Sequence, residues 1–261
     1  MNHVNKTLYI PLCGKAYVSQ KKKILTDPTA EQIWEKEGFF LKGKSSSKWL
    51  AYYMGMRAAV FDSWLRAKMA EDAEAVILHI GCGLDSRNLR VGAKGHLWYD
   101  VDFPEVIAER RKYYEETERY HMMESDAREK KWILALPEKE RAIIVMEGVS
   151  MYMTSSELQE LLASLNRHFS SVKILMDCYT QFAARATKYK NPINDVGVNR
   201  VYGLDAPEML ADKTGLSFVK EHDMTPEQMI CELEGAERFI FRHVFGGKLS
   251  KRMYRMFEYK G

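Results

Sequence analysis

The chemistry legible in this sequence lies in glycines and acids, not in a nucleophile beside a histidine. Gly81-Cys82-Gly83 directly follows an apolar run, AVILHI (75–80). Asp102 closes a second run, LWYDVD (97–102), 19 residues past Gly83. Ser125-Asp126, Glu147-Gly148 and Asp177 stand at the ends of three more runs. A glycine turn after a strand lets the backbone approach a ligand, and an acid about 20 residues on can accept hydrogen bonds from a ribose diol. Asp102 also suits capping of a helix expected from Pro104, and Asp126 also suits a turn. Spacing leaves both alternatives open.

A dinucleotide fingerprint, G-x-G-x-x-G, would need glycine at position 86, where Ser86 stands. That counts against a pyrophosphate-bearing ligand and so against a nicotinamide oxidoreductase. S-adenosylmethionine has a ribose, an adenine and a zwitterionic tail but no pyrophosphate, so it escapes the demand. Asp126 would then be placed for the adenine amino group.

The elements that must position these residues follow from periodicity. Met56, Val60, Trp64 and Ala67 recur at helical spacing ahead of the first strand. Pro104 opens a helix expected to run to about Arg119. Strands are expected at 120–124, 142–147 and 172–177. Between the last two, Thr154 and Glu157 form a T-x-x-E capping box, followed by Leu158, Leu161, Leu162, Leu165 and Phe169 on one helical face. The segment Tyr179–Gly203 is polar and irregular, and KGKSSSK (42–48) resembles a solvated linker. At the C-terminus, 237–245 and 252–259 are expected to pair as antiparallel strands across Gly246-Gly247. Alternating strands and helices predict an α/β fold with a doubly wound, mostly parallel sheet, with ligands beyond the carboxyl ends of its strands.

Composition narrows the function. Hydrophobic residues at 46% and charged residues at 29% exclude a disordered chain. A net charge of +3 offers no electrostatic footprint for nucleic acid. Cys13, Cys82, Cys178 and Cys231 lie far apart with no C-x-x-C pair, which argues against a zinc knuckle or disulfide framework and for a reducing, cytoplasmic setting. No apolar stretch reaches the roughly 20 residues of a membrane span. No metal is expected. Cys82 is read as a small turn residue, His79 as a core histidine, and the run Arg110–Lys112 as solvated charge.

Three segments together carry a resemblance: HIGCGLDSRNLR (79–90), YDVDFPEVIAERR (99–111) and MEGVSMYM (146–153). They resemble the leucine carboxyl methyltransferase family, and within it the bacterial branch of tetracenomycin-type polyketide carboxyl O-methyltransferases. The opening segment TLYIPLCGKAYVSQKKKILTDPTAEQI (7–33) is similar to the same branch. Ser86, Ser150 and Lys15 depart from its usual residues. The resemblance implies a class I methyltransferase, Rossmann-like fold, with a helical cap at 1–48 and an S-adenosylmethionine-binding catalytic domain at 49–261. It also implies roles. Gly81, Cys82 and Gly83 pass under the methionine moiety, Asp102 binds the ribose, and Asp126 with the Ala127 backbone meets the adenine. Arg57 pairs with the cofactor carboxylate, Lys15 helps close the site, Glu147 lies near the methionine end, and Tyr152 lines the path of the methyl group. Without the resemblance, Arg57 would read as a surface cation and Tyr152 as a packed core ring.

The implied partner is a small-molecule carboxylate acceptor, since a carboxylate is ionised at neutral pH and needs no general base. The cap and the Tyr179–Gly203 segment would select it. A non-catalytic S-adenosylmethionine-binding regulator and a protein-carboxyl methyltransferase are competing possibilities, and the sequence sets no oligomeric state.

Overall fold

A computed structural model describes residues 5–38, 41, 43–93, 95–138, 140–186 and 200–261. Its strands are β1 (Val76–Ile80), β2 (Trp98–Asp102), β3 (Tyr120–Glu124), β4 (Arg141–Met146), β5 (Ser171–Tyr179), β6 (Ser217–His222) and β7 (Tyr254–Lys260). Three helices precede the sheet: α1 (Tyr9–Gln20), α2 (Pro28–Glu37) and α3 (Lys48–Glu71). The others are α4 (Arg87–Arg90), α5 (Pro104–Arg110), α6 (Ser155–His168), α7 (Gln181–Ala186), α8 (Pro207–Thr214), α9 (Glu227–Ile230), α10 (Gly235–Ile240) and α11 (Gly247–Met253).

The sheet order is β3-β2-β1-β4-β5-β7-β6. The first five strands pair in parallel, and β7 runs antiparallel to both β5 and β6. This is the doubly wound, mostly parallel sheet with a C-terminal antiparallel pair that the sequence predicts. Every residue of β1 is buried, as a central parallel strand covered on both faces requires. One apolar layer, built on Phe61, Leu65, Ile77 and Ile143, lies under α3. The opposite layer, built on Leu78, Ile144, Leu162 and Ile174, lies under α6.

Local chemistry explains most boundaries. Thr154 and Glu157 form the expected reciprocal capping box at the start of α6, and Leu158, Leu161, Leu162 and Leu165 are its buried face. Asp27 accepts from the Ala30 backbone at the start of α2, Pro28 follows it, and Gly38 ends the helix in a left-handed conformation. The 42–48 patch is more structured than a linker: Gly43–Ser46 forms a 3-10 turn, and Ser47 caps α3 through the Trp49 amide.

Three expectations are corrected. Helix α5 ends at Arg110 and not near Arg119, because the chain must turn back to feed β3. Arg110 itself is not solvated. Its guanidinium is fully buried, 2.6 Å from Asp100, 3.0 Å from the Tyr120 hydroxyl and 3.0 Å from the Gly83 carbonyl. The segment 237–245 is not a strand. It is α10 followed by a π-helical turn, Phe241–Phe245, and the antiparallel neighbours of β7 are β5 and β6. The apolar positions Ile240, Phe241, Val244 and Phe245 follow the i, i+4 spacing of a helix, and Gly246-Gly247 starts α11 and is not a hairpin turn. Within the Tyr179–Gly203 segment, β5 runs to Tyr179 and α7 follows it, while 187–199 lie outside the described residues. Among the described residues, no helix is long and apolar enough to cross a membrane.

Candidate active site

A cavity of about 630 Å³ opens at the carboxyl ends of β1, β2 and β4. Lys15, Arg57, Gly81, Cys82, Gly83, Asp102, Asp126, Ala127, Glu147 and Tyr152 all line it. The fold therefore brings every sequence-selected residue to one place, from α1, α3 and four strand ends.

The glycine turn is required by geometry. Gly81 has φ +70°, and a Cβ there would lie 2.1 Å from a Val149 methyl. Asp102 braces the turn from the neighbouring strand, accepting from the Gly83 amide and the Phe103 amide, each at 2.8 Å. It does not cap α5, whose N-cap residue is Phe103 with no side-chain cap. Burial pushes the Asp102 carboxyl up to about 6, against the two amide donors. Asp126 accepts from its own turn, at the Arg128 amide (3.0 Å), and from the Arg128 guanidinium (2.9 Å). Burial opposes its ionisation, but Arg128 holds it below the usual carboxylate range. Ser86 lies in a buried cluster, donating to Asp27 at 2.6 Å, so the position a dinucleotide site would leave bare is tied to the N-cap of α2.

One end of the cavity rests on a buried network of charges. Glu147 accepts from Arg57 at 2.9–3.0 Å and from Arg87. Burial raises its affinity for a proton, yet Arg57 and Arg87 outweigh this and hold it at about 2. Arg57 also reaches Asp177 at 3.3 Å and donates to the Tyr254 hydroxyl at 3.3 Å. Asp177 takes the Gly148 amide at 2.7 Å, but burial dominates and lifts it to about 6. Asp85 meets Lys15 at 3.1 Å, Arg90 at 2.9 Å and Arg87 at 3.2 Å. Buried charges persist only when paired, and here both signs stand side by side. Such a surface can take a zwitterion, with its carboxylate toward Arg57 and Lys15 and its ammonium toward Asp85 and Glu147.

The family model for leucine carboxyl methyltransferases matches residues 10–166. The chain belongs to the leucine carboxyl methyltransferase family. It is 27% identical over 241 residues to the tetracenomycin polyketide synthesis O-methyltransferase of Streptomyces glaucescens, covering 91% of this chain and 89% of that protein. It is 28% identical over 228 residues to an S-adenosyl-L-methionine-dependent methyltransferase of Gibberella zeae, covering 78% and 76% of the two chains. Among solved structures, a candidate methyltransferase of Thermobifida fusca superposes with a TM-score of 0.59 at 13% identity, over 94% of this chain and 93% of its own. The magnesium protoporphyrin IX methyltransferase of Synechocystis, with bound SAH, gives 0.53 at 12% identity, over 88% and 92%. These two likenesses establish the class I methyltransferase fold.

The family segment contains all ten sequence-selected residues, but the cavity extends past it. Val244, Phe245, Ser250, Met253 and Tyr254 also line the wall, as does Tyr53 on α3. Sequence reasoning missed them. Tyr53 had a signal: it lies four residues before Arg57, on the same helical face. Arg87, Arg90 and Asp85 follow the glycine turn and show in sequence only as charge, yet their pairing holds the cavity floor.

Proposed function

We propose that this methyltransferase uses S-adenosylmethionine to methylate a carboxylate oxygen of a small molecule. The cavity fits that donor on its own evidence: bare backbone at Gly81, Gly83 and Gly148, all at positive φ, and a buried floor that pairs both charges. Asp102 would accept from the ribose diol, while Asp126 and the Ala127 backbone would face the adenine. Gly81, Cys82 and Gly83 would underlie the methionine portion, with Arg57 and Lys15 on its carboxylate and Glu147 beside its ammonium. When bound, S-adenosylmethionine supplies a methyl group on a sulfonium, open to in-line displacement.

One observation carries the carboxylate assignment. Among the described residues, every acid lining the cavity, and His79 with them, is already held by a cation, a carboxylate partner or backbone amides. Glu147 is held at about 2, and Asp85 and Asp126 lie below their ordinary values. His79 is buried against Asp100 at 3.3 Å, and burial lowers its pKa. Tyr53 is pushed up to about 12, and Tyr152 and Tyr254 rise as well, each through burial. Asp102 is the exception in strength, yet it is the ribose ligand in this assignment. A phenol near pKa ~10 would need a base, whereas a carboxylate near ~4 needs only alignment. Alignment and exclusion of water can supply about 7–11 kcal/mol of the barrier. The protein's own residues then bind, orient and desolvate; none has to move a proton.

The test has two stages. S-adenosylhomocysteine at 100 times its Kd adds about 2.7 kcal/mol, which raises the Tm of a chain of this size by roughly 5–10 °C. No shift, or a shift only with NADH, would sink the donor assignment. Mass spectrometry of products from a panel of acids and phenols is expected to show methyl esters. Products methylated only at phenol oxygen or at nitrogen would overturn the carboxylate assignment.

A further inference from the structure

Residues 223–253 leave the sheet between β6 and β7 and carry α9, α10, the π-helical turn and α11. Their side chains Val244, Phe245, Ser250 and Met253 line the far wall of the cavity. Tyr254, the first residue of β7, is where the chain rejoins the sheet. It lines the same cavity, but its bonds run to the floor. In the antiparallel register Tyr254 faces Tyr179 and Met256 faces Asp177, so Tyr254 and Asp177 are diagonal neighbours on one face of the sheet. Leu175, Tyr254 and Met256 belong to the apolar layer under α3, and α3 carries Arg57. Both Tyr254 and Asp177 lie past residue 166, beyond the segment that the family model matches.

The guanidinium of Arg57 is held at two ends. Glu147 spans Nε at 3.0 Å and Nη2 at 2.9 Å, while Nη1 donates to the Tyr254 hydroxyl at 3.3 Å and lies 3.3 Å from Asp177 Oδ2. A phenol can donate as well as accept. Here its proton turns toward the Asp177 carboxylate, which leaves a lone pair for Arg57. Asp177 is itself fixed by the Gly148 amide at 2.7 Å, and the Tyr254 ring is buried beside Tyr179 with centroids 4.8 Å apart. The phenol therefore has little freedom to leave Nη1. An arginine side chain is long and rotatable, and a carboxylate is bound most tightly by one whose plane is already set. Resting on the donor assignment above, we propose that Tyr254 is a positioning residue for Arg57: its hydroxyl sets the Nη1 end of the guanidinium, so that the donor's carboxylate meets a cation already in place. Tyr254 acts through Arg57 and has no part in holding ribose or adenine. A tyrosine that only packs the core would be indifferent to whether the ligand carries a carboxylate.

The experiment compares two ligands that differ only in that carboxylate. They are S-adenosylhomocysteine and 5′-deoxy-5′-(3-aminopropylthio)adenosine, an amine that keeps the adenine, ribose and sulfur. Calorimetry measures both affinities for the unaltered chain, Tyr254→Phe, Arg57→Lys and the double variant. The unaltered chain is expected to bind S-adenosylhomocysteine about tenfold or more tightly than the amine. Tyr254→Phe should narrow that preference about three- to tenfold by weakening S-adenosylhomocysteine, while amine affinity stays within about twofold and certifies the fold. In the Arg57→Lys background, Tyr254→Phe should narrow nothing further. A preference unchanged by Tyr254→Phe overturns the proposal, as does equal weakening of both ligands, the mark of a merely structural role. Further narrowing in the Arg57→Lys background overturns it too, because Tyr254 then reaches the carboxylate without Arg57. An unaltered chain that binds both ligands alike denies Arg57 its carboxylate and overturns the proposal, with the donor assignment left standing. An unaltered chain that binds neither overturns the donor assignment itself, and the proposal with it.

Discussion

The two ends of the cavity are built by opposite means. The floor is charged, made of strand ends, and braced by backbone: Gly83 and Phe103 amides on Asp102, the Gly148 amide on Asp177, and a chain of ion pairs from Arg57 through Glu147 and Arg87 to Asp85. The far wall is apolar, made of helices in an excursion from the sheet, and braced by surface clamps such as Lys48–Glu237. A parallel sheet fixes what stands at its strand ends, so chemistry placed there tolerates little variation. A helical excursion joined to two antiparallel strands can change its side chains without disturbing the sheet. The first arrangement suits a donor common to many enzymes, and the second suits an acceptor particular to one.

Breaking the floor should therefore hurt the whole molecule. Glu147→Gln leaves Arg57 and Arg87 facing each other with one less anion in a buried place. Chemical denaturation should show a loss of about 3–5 kcal/mol, the range for removing one partner of a buried pair. A loss under 1 kcal/mol would mean that the network relaxes around the change and that the floor is not the rigid end. Asp102→Asn is gentler on the fold but specific to the ribose: S-adenosylhomocysteine affinity should fall about 10- to 100-fold by calorimetry. An unchanged Kd would retire its ribose role.

The raised pKa of Asp102 gives the same residue a pH signature. Its carboxyl, at about 6 against 3.8 in the open chain, is harder to ionise when folded. Its contribution to stability is thus present below pH 4 and lost as pH rises through 6, a slope that Asp102→Asn should remove. Ligand binding has the opposite sense, because only the ionised acid accepts from both hydroxyls. S-adenosylhomocysteine affinity should weaken by up to tenfold per unit as pH drops below about 6. A flat profile between pH 5 and 7 would place the ribose elsewhere.

The same division explains what could be read in advance. Strands β1 to β5 announce themselves as apolar runs with an acid or glycine at the end, and the box at Thr154 and Glu157 marks α6, because each signal is local. The floor was legible for the same reason. The wall is not, because Gly246-Gly247 mimics a hairpin turn and outweighs the helical i, i+3, i+4 spacing of Phe241, Val244 and Phe245. Only long-range contacts, Trp49 on Phe245 and Tyr52 on Glu237, decide that this segment is helical. Arg110 reads as solvated charge in sequence because its partner Asp100 lies in the middle of β2, where nothing local marks a buried acid.

Changes to the wall should leave the donor alone. Phe245→Ala removes a ring from the cavity and its stack on Trp49, so the KM for the carboxylate acceptor should rise about tenfold. S-adenosylhomocysteine affinity should stay constant in the same preparation. A parallel loss of both would show that floor and wall are one cooperative unit and that the contrast between them is false.

The smallest effect is expected furthest from the cavity and supplies the reference for the others. Thr154→Ala removes the side-chain acceptor for the Glu157 amide at the start of α6 and breaks the reciprocal box. Stability should fall by about 0.5–2 kcal/mol, a Tm lower by a few degrees, with donor affinity and acceptor KM unmoved. The helix packs its leucines on the sheet face away from α3, so a frayed first turn has no short route to Arg57 or to Ser250. If this variant did shift S-adenosylhomocysteine affinity, general loosening of the sheet would reach the strand ends. The affinity loss at Asp102 would then have to be corrected for stability before that residue was assigned to the ligand.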